Sequence, residues 1–565
     1  MRSRLNIIPL LLTFALLTFS YGEQPFKVAP DNHHKHYDVL KQNFKRPEDV
    51  TKACLSCHTE SAKEIMKTSH WTWSNKTDKL PGREGTTHEI GKSKGLNNFC
   101  ISIQSNEERC TSCHIGYGWK DNTFDFSDES KVDCLVCHDQ TGTYEKFPSG
   151  AGYPVGGDHG VLKGKNSVFF KGNKKTYKKP DYNLIAQKVG KPGRENCGVC
   201  HFYGGGGNDV KHGDLDKSLV NASRSVDVHM AVDGANMTCT DCHPANNHDI
   251  KGQLYSVEAE DKNRVSCEKC HTETPHTNRL FVDKYDTRFN SKLKERKIPE
   301  TTFEHLLLDR HSQNIACQTC HIPHYSKVHK TKIFWDWSKA GRRITSGPDK
   351  GKPLVLKDKD GNMVYNGKKG EFRLASMIVP EYFLFNGIAG HTIIDDKIDP
   401  SKAPIELNRM FGDCNSETTK IWPMKVMRGK QPYDPVNKTF LYVKLFGKKG
   451  SGAYWSDFDW EKAAEEGMKY AGKEFSGKVD FVETKMYWPV SHMVSPKEDA
   501  VKCSECHSRD GRLKDLDSCW IPGRDKIDII DILGFLSIIG VVFGVLFHSS
   551  LRLFFNKKNK KNGVN

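Results

Sequence analysis

Apolar residues are scarce for a chain this long: 36% hydrophobic over 565 residues. Side chains alone would build only a thin core at that content, so something else must supply apolar bulk. No alternating strand pattern persists between Cys54 and His321. The glycines at 204–207 are not followed by Gly-Lys-Ser/Thr, which excludes a phosphate loop. The run at 358–362, DKDGN, lacks the remaining ligands of a calcium loop and reads as a turn between strands at 354–356 and 363–365. A net charge of +15 invites a nucleic-acid reading. Seven of those cations stand at the two ends, so the charge marks local patches and no nucleic-acid surface.

What the chain does have is cysteine and histidine, 19 and 25 of them. Cys-x-x-Cys-His recurs eight times, against roughly 0.03 expected by chance. The first cysteines are Cys54, Cys110, Cys134, Cys197, Cys239, Cys267, Cys317 and Cys503. The second are Cys57, Cys113, Cys137, Cys200, Cys242, Cys270, Cys320 and Cys506. The histidines are His58, His114, His138, His201, His243, His271, His321 and His507. Two thiols add across the vinyl groups of a haem and the adjoining histidine becomes an axial ligand. An isolated Cys-x-x-Cys would suit zinc; eight with an adjoining histidine describe eight covalently bound haem c groups. Their macrocycles supply the missing apolar bulk, and their propionates offset most of the remaining positive charge. The second and third motifs start 24 residues apart, which predicts neighbouring macrocycles. Cys100, Cys414 and Cys519 are left over; the last two are free or paired.

The ends agree on topology. Arg2 and Arg4 precede an apolar run at 5–19 with small residues after it, so 1–22 reads as a signal peptide. Residues 23–526 form the octahaem catalytic domain, 527–551 a transmembrane helix, and 552–565 a basic cytoplasmic tail. That places the haem domain on the periplasmic side of the cytoplasmic membrane. The expected fold is mainly α, with short helices and long loops around the haems and one small β-hairpin. Residues 163–180 read as a lysine-rich solvated loop, and 460–471 as a helix opened by Asp457 or Asp459. Aromatics such as Trp335, Tyr454, Trp455 and Trp488 are expected to wall the haems.

A haem with two protein ligands moves electrons; catalysis needs one open or weakly held position. All eight motifs end in histidine, so the distal side decides which site is active. The distal candidates are His70, His212, His229, His248, His276, His311, His391 and His492. His33, His34, His36, His324 and His329 read as solvated surface.

The runs NNFC, CTSCHIGYGWKD, CGVCHFYGGGGNDVKHGDLD, DVHM before CTDCH, RHSQNIACQTCHIP, TKIFWDWS and YWPVSHMV before CSECH resemble the octahaem tetrathionate reductase family. The similarity spans 54–525; the terminal helix departs from it. The resemblance implies a mainly helical fold related to hydroxylamine oxidoreductase and the multihaem nitrite reductases. It also implies seven bis-histidine haems and one, the second, with a lysine amine in its sixth position. Cys110 and Cys113 would carry that haem, with His114 proximal and Asn97 and Cys100 in its pocket. Lys211 is the first choice for the amine, with Asp209 or Asn208 as its polar partner; Lys146, Lys188, Lys191 and Lys120 are the alternatives.

These expectations describe a membrane-anchored respiratory reductase of tetrathionate, with the Cys100 thiolate exchanging with the central S–S bond. Nitrite or hydroxylamine reduction, or electron transfer alone, are the other readings. The single helix cannot house a quinone site, so a quinol dehydrogenase or a periplasmic cytochrome would donate electrons.

Overall fold

The computed structural model describes residues 33–156, 164–171, 173–252, 257, 263–277, 302–525 and 528–561. The signal peptide expected at 1–22 lies outside the described residues.

Each attachment motif sits on or at the end of a short helical segment. α1 (Pro47–Leu55) carries Cys54 and α2 (Arg194–His201) carries both cysteines of the fourth motif. A helical turn puts residues three apart on one face, so each pair of thiols points the same way. α3 (Phe303–Asn314) holds His311.

The haem-free middle of the chain is a nine-stranded sheet, far larger than the expected hairpin. In chain order the strands are β1 (Thr331–Asp336), β2 (Val355–Lys357), β3 (Met363–Asn366), β4 (Gly370–Ala375), β5 (Glu381–Phe385), β6 (Ile405–Glu406), β7 (Lys420–Asp434), β8 (Thr439–Phe440) and β9 (Asp480–Pro489). They lie in the order β6-β9-β7-β1-β4-β3-β2, with β5 and β8 also paired to β7. The β7–β1 and β6–β9 pairs are parallel, the other pairs antiparallel. Helix accounts for 28% and strand 19%, so a mainly α architecture is not clearly borne out. β7 hid from a periodicity reading for two reasons. It is buried on both faces, which removes alternation, and it contains Pro423, Gly429 and Pro432.

Two expected elements fall where the sequence put them. β2 and β3 pair across the Asp358 turn, whose carboxylate accepts from the Asn362 N–H at 2.8 Å. α4 (Trp460–Tyr470) is capped by Asp459, which accepts from the Lys462 N–H at 3.0 Å. The lysine-rich stretch is not a plain loop: Ser167–Phe170 pairs with Lys175–Lys178. Cys414 and Cys519 are joined as a disulfide.

The sheet matters because it docks the loop that bears Cys100. Asn98 Nδ2 donates to the Met427 carbonyl on β7 at 2.7 Å, and Asn106 Nδ2 to the Val443 carbonyl at 2.9 Å. Leu96, Phe99 and Ile101 share one buried core with Trp335, Trp337 and Met427. α5 (Asp528–Lys561) stands apart. Its stretch Ile529–Lys557 is long and apolar enough to cross a membrane and none of it is buried by the rest of the chain.

Candidate functional site

Seven motif histidines face a second histidine at nearly one distance. The ring centroids are 6.3 Å apart for His58 and His34, 6.4 Å for His138 and His248, and 6.1 Å for His201 and His70. They are 6.2 Å apart for His243 and His492, and 6.1 Å for His271 and His229. His321 and His276 stand at 6.4 Å, His507 and His311 at 6.0 Å. An imidazole nitrogen binds a metal at about 2 Å with its ring centroid about 1 Å behind, so two rings on one iron sit about 6 Å apart. Direct ring stacking needs no such uniform gap. In six of these rings Nδ1 is tied backward, to the carbonyls of Gly190, Lys251 and Pro522 or to the carboxylates of Glu64, Asp309 and Asp214. Nε2 is thereby left for the metal. One continuous cavity of about 5340 Å³ runs past the cysteines of the first seven motifs. That is several times a small-ligand pocket and fits a file of macrocycles.

The thiols give the order of that file. Cys54 lies against Cys134, Cys113 against Cys200, Cys197 against Cys239 and Cys267 against Cys317. Cys137 and Cys197, Cys242 and Cys270, and Cys320 and Cys506 are within electrostatic reach of each other. The sites therefore run first, third, fourth, fifth, sixth, seventh, eighth, and the second docks on the fourth. Closeness in sequence to the third motif does not decide the second site's neighbour.

The second motif departs from the other seven. His114 Nε2, the nitrogen an iron would need, is 2.6 Å from the Trp71 carbonyl, and its Nδ1 is buried without a partner. Trp71, Trp73 and Trp119 surround the ring at centroid distances of 5.1, 5.3 and 4.8 Å, with Phe124 at 5.8 Å. Burial in this box pushes its pKa down to about 3. The aromatic box and the Trp71 carbonyl thus hold the ring of the expected proximal ligand, and among the described residues it faces no second histidine as the other seven do. Lys146 comes to the same backbone instead. Its ammonium donates to the His114 carbonyl at 2.5 Å and the Gly116 carbonyl at 3.3 Å, and pairs with Asp133 at 2.9 Å. Asp133, fully buried, also accepts from the Tyr117 and Tyr144 hydroxyls at 2.7 and 3.0 Å.

Lys211 lies elsewhere, in a pocket beside Cys100. Three lysines, Lys92, Lys211 and Lys369, line the cavity there and Lys332 lies buried behind it, each against an indole. Lys92 stands 3.6 Å from the Trp73 ring centroid, Lys211 4.5 Å from Trp488, Lys332 3.5 Å from Trp335 and Lys369 5.5 Å from Trp455. All four are within electrostatic reach of Cys100 or of the second motif's cysteines. None makes an ion pair among the described residues. Burial, then repulsion from Lys92, holds Lys211 down at about 8, and burial pulls Lys332 well below the ordinary lysine range. Asn97 Oδ1 accepts from the Phe99 and Cys100 N–H groups at 3.0 and 2.9 Å and so shapes the turn that presents Cys100. Cys100 Sγ is 3.8 Å from the Gly205 carbonyl.

A solved structure, "octaheme cytochrome c from Shewanella oneidensis", superposes with a TM-score of 0.71 at 40% identity, covering 87% of this chain and 98% of that one. It is a multihaem c-type cytochrome. The family described as "Cytochrome c bacterial" matches residues 332–510, and "Cytochrome c554 and c-prime" matches 53–139. An uncharacterized protein of Archaeoglobus fulgidus is 22% identical over 278 residues, 42% of this chain and 88% of its own length. The cytochrome carries covalently bound haem c.

Several expected site residues of the cytochrome lie elsewhere than expected. His34, read as solvated, faces His58. His212 faces no motif histidine in these seven pairs; its ring meets Trp488 edge-on at 5.0 Å. His391 lines the cavity, and all seven facing pairs are completed by other histidines. Asp209 accepts from the Ser326 hydroxyl at 2.7 Å and acts on Lys425, while Asn208 caps the Lys217 N–H at 2.9 Å. Neither serves Lys211. Lys120, Lys188 and Lys191 are exposed. Missed altogether were Lys92, Lys332 and Lys369; of these only Lys332 has a tryptophan close by in sequence, Trp335.

Proposed function

We propose that this cytochrome is a membrane-anchored periplasmic octahaem reductase that converts tetrathionate to thiosulfate at the second motif. The observation carrying the reading is the set of three lysines, Lys92, Lys211 and Lys369, that line the cavity near Cys100 and the second motif with no carboxylate partner among the described residues. Tetrathionate takes up two electrons and no proton, and its charge doubles as it becomes two thiosulfates. A pocket for that reaction needs uncompensated cations held where charge develops, in a low-dielectric wall. Haem supplies one-electron transfer at bis-histidine sites, and a binding position where one ligand is displaceable. Lys146 is the residue that would hold the second haem's iron in place of His114, with Asp133 2.9 Å from its amine fixing where it sits. Lys211 is reassigned to the substrate side. The Cys100 thiolate attacks one central sulfur, releasing one thiosulfate and leaving a Cys–S–S–SO₃⁻ adduct. Two electrons then break the adduct into the second thiosulfate and the thiolate.

The basic residues at 552–561, in the C-terminal end of α5, support a cytoplasmic C-terminus and a periplasmic haem domain. With one helix, the donor is a quinol dehydrogenase or a periplasmic cytochrome. Nitrite or hydroxylamine reduction is the second reading. It is favoured by Lys211, which holds its proton loosely enough to give it to a substrate that consumes protons.

Turnover of the three substrates by the purified holoprotein with a reduced dye tests these readings. Tetrathionate is expected to be fastest. Faster nitrite or hydroxylamine gives the second reading, and no turnover of any leaves an electron carrier. The pH profile tests the pocket. Lys211 carries its charge below about 8 and loses it above. KM for tetrathionate should therefore rise as pH passes 8, and Lys211→Gln should flatten that rise. A wild-type KM that is level from pH 7 to 9 excludes Lys211 from anion binding.

A further inference from the structure

Behind three of the facing histidines stands a carboxylate. His248 Nδ1–H donates to Glu64 at 2.8 Å, His276 Nδ1–H to Asp309 at 2.8 Å and His492 Nδ1–H to Asp214 at 3.2 Å. Two of these acids cannot swing aside. Asp309 also accepts the His276 and Thr277 N–H groups, and Asp214 those of Ser491 and His492. The three histidines face His138, His321 and His243, which belong to the third, seventh and fifth motifs.

At the sites between them the arrangement is different. The rings of His70 and His311, facing the fourth and eighth motifs, make no hydrogen bond among the described residues. His229, facing the sixth, has Nδ1 3.9 Å from Asp227 Oδ1, too far for a hydrogen bond. The Asp227 carboxylate is instead taken up by the N–H groups of His229, Met230 and Val494. Along the file given by the thiols, the distal ring is hydrogen-bonded to a carboxylate at the third, fifth and seventh sites, and no such bond to a distal ring is made at the fourth and eighth among the described residues; at the sixth, Asp227 and Glu268 stand near the two rings without that bond to His229.

A carboxylate pulling on the Nδ1 proton makes its imidazole a stronger donor, which favours the ferric state. Neighbouring cations favour the ferrous state, and Lys92 and Lys211 both act on His201 of the fourth motif. We propose that Glu64, Asp214 and Asp309 are positioning residues that set a ladder of reduction potential: low at the third, fifth and seventh sites, high at the fourth and eighth. The fourth site, which abuts the second, becomes the reservoir from which the substrate site is filled. An electron leaving a low site oxidises it and reduces its high neighbour, so two high sites can hold charge while the second awaits substrate. This rests on the seven facing pairs being axial ligands.

Spectroelectrochemical titration of holoprotein variants tests it, with electron paramagnetic resonance counting the low-spin bis-histidine centres. E64Q, D214N and D309N should each move one centre upward, by about tenfold in its reduced-to-oxidised ratio at fixed potential, or 59 mV for a one-electron couple. Glu64 is partly exposed, so E64Q tests the idea even where a buried variant fails to fold. Seven low-spin centres retained with no centre shifted by E64Q overturns the ladder and leaves the ligand assignment standing. Fewer than seven in the wild-type protein overturns the ligand assignment, and the ladder with it.

Discussion

Lys146→Arg is expected to leave the cytochrome folded while abolishing the amine-ligated iron at the second motif. Lys146 and Asp133 form a buried pair with side chains 4% and 0% exposed. Lys146→Met would strand the Asp133 charge, at a cost of about 3–5 kcal/mol. Arginine keeps the charge and the pair but is never deprotonated in a protein, so it has no lone pair for a metal. The two variants therefore separate the structural role from the ligand role. In K146R the spectra should keep seven low-spin centres and turn the eighth high-spin. Turnover should fall about 100-fold or more, the upper range for loss of even an indirect metal contact. K146M should show the same spectral change with a clear loss of thermal stability. An amine signature that survives in K146R would return the ligand to Lys211.

Cys100→Ala should separate the substrates. The thiol is proposed to do covalent chemistry only on a sulfur–sulfur bond, so tetrathionate turnover should fall by about 10³-fold or more, loss of a nucleophile costing up to about 10⁶-fold in other enzymes. Any turnover of nitrite or hydroxylamine should stay within about threefold, because no thiol chemistry is asked of those substrates. The Cys100 turn is held by Asn97 and by the Asn98 bond to β7, neither of which uses the sulfur, so the variant should fold. Equal losses on all substrates would make Cys100 a packing residue. No loss on tetrathionate would remove it from the reaction.

How much could be read beforehand follows from the physics of each feature. Haem attachment is legible because a covalent link needs two thiols and a histidine at fixed local spacing. α4 and the β2–β3 turn are legible because an N-cap or an aspartate turn is decided within five residues. Distal histidines are not local: His248 meets His138 and His492 meets His243 only after the chain has folded back over 110 and 249 residues. His34 looked like part of a polar lead-in because nothing near it in sequence points to His58. β7 lost its strand signature to burial on both faces and two prolines.

From the linear order of residues alone come the attachment motifs, the spare thiol at Cys100, and the apolar helix followed by lysines, all short-range patterns. Tertiary structure decided which histidines face each other, that the second motif docks on the fourth, and that His114 is held by tryptophans while Lys146 comes to its backbone. It also brought lysines from 92, 211 and 369 to one cavity. Those outcomes depend on loop closures of tens to hundreds of residues, where the packing of a sheet and an aromatic box outweighs any preference written in neighbouring side chains.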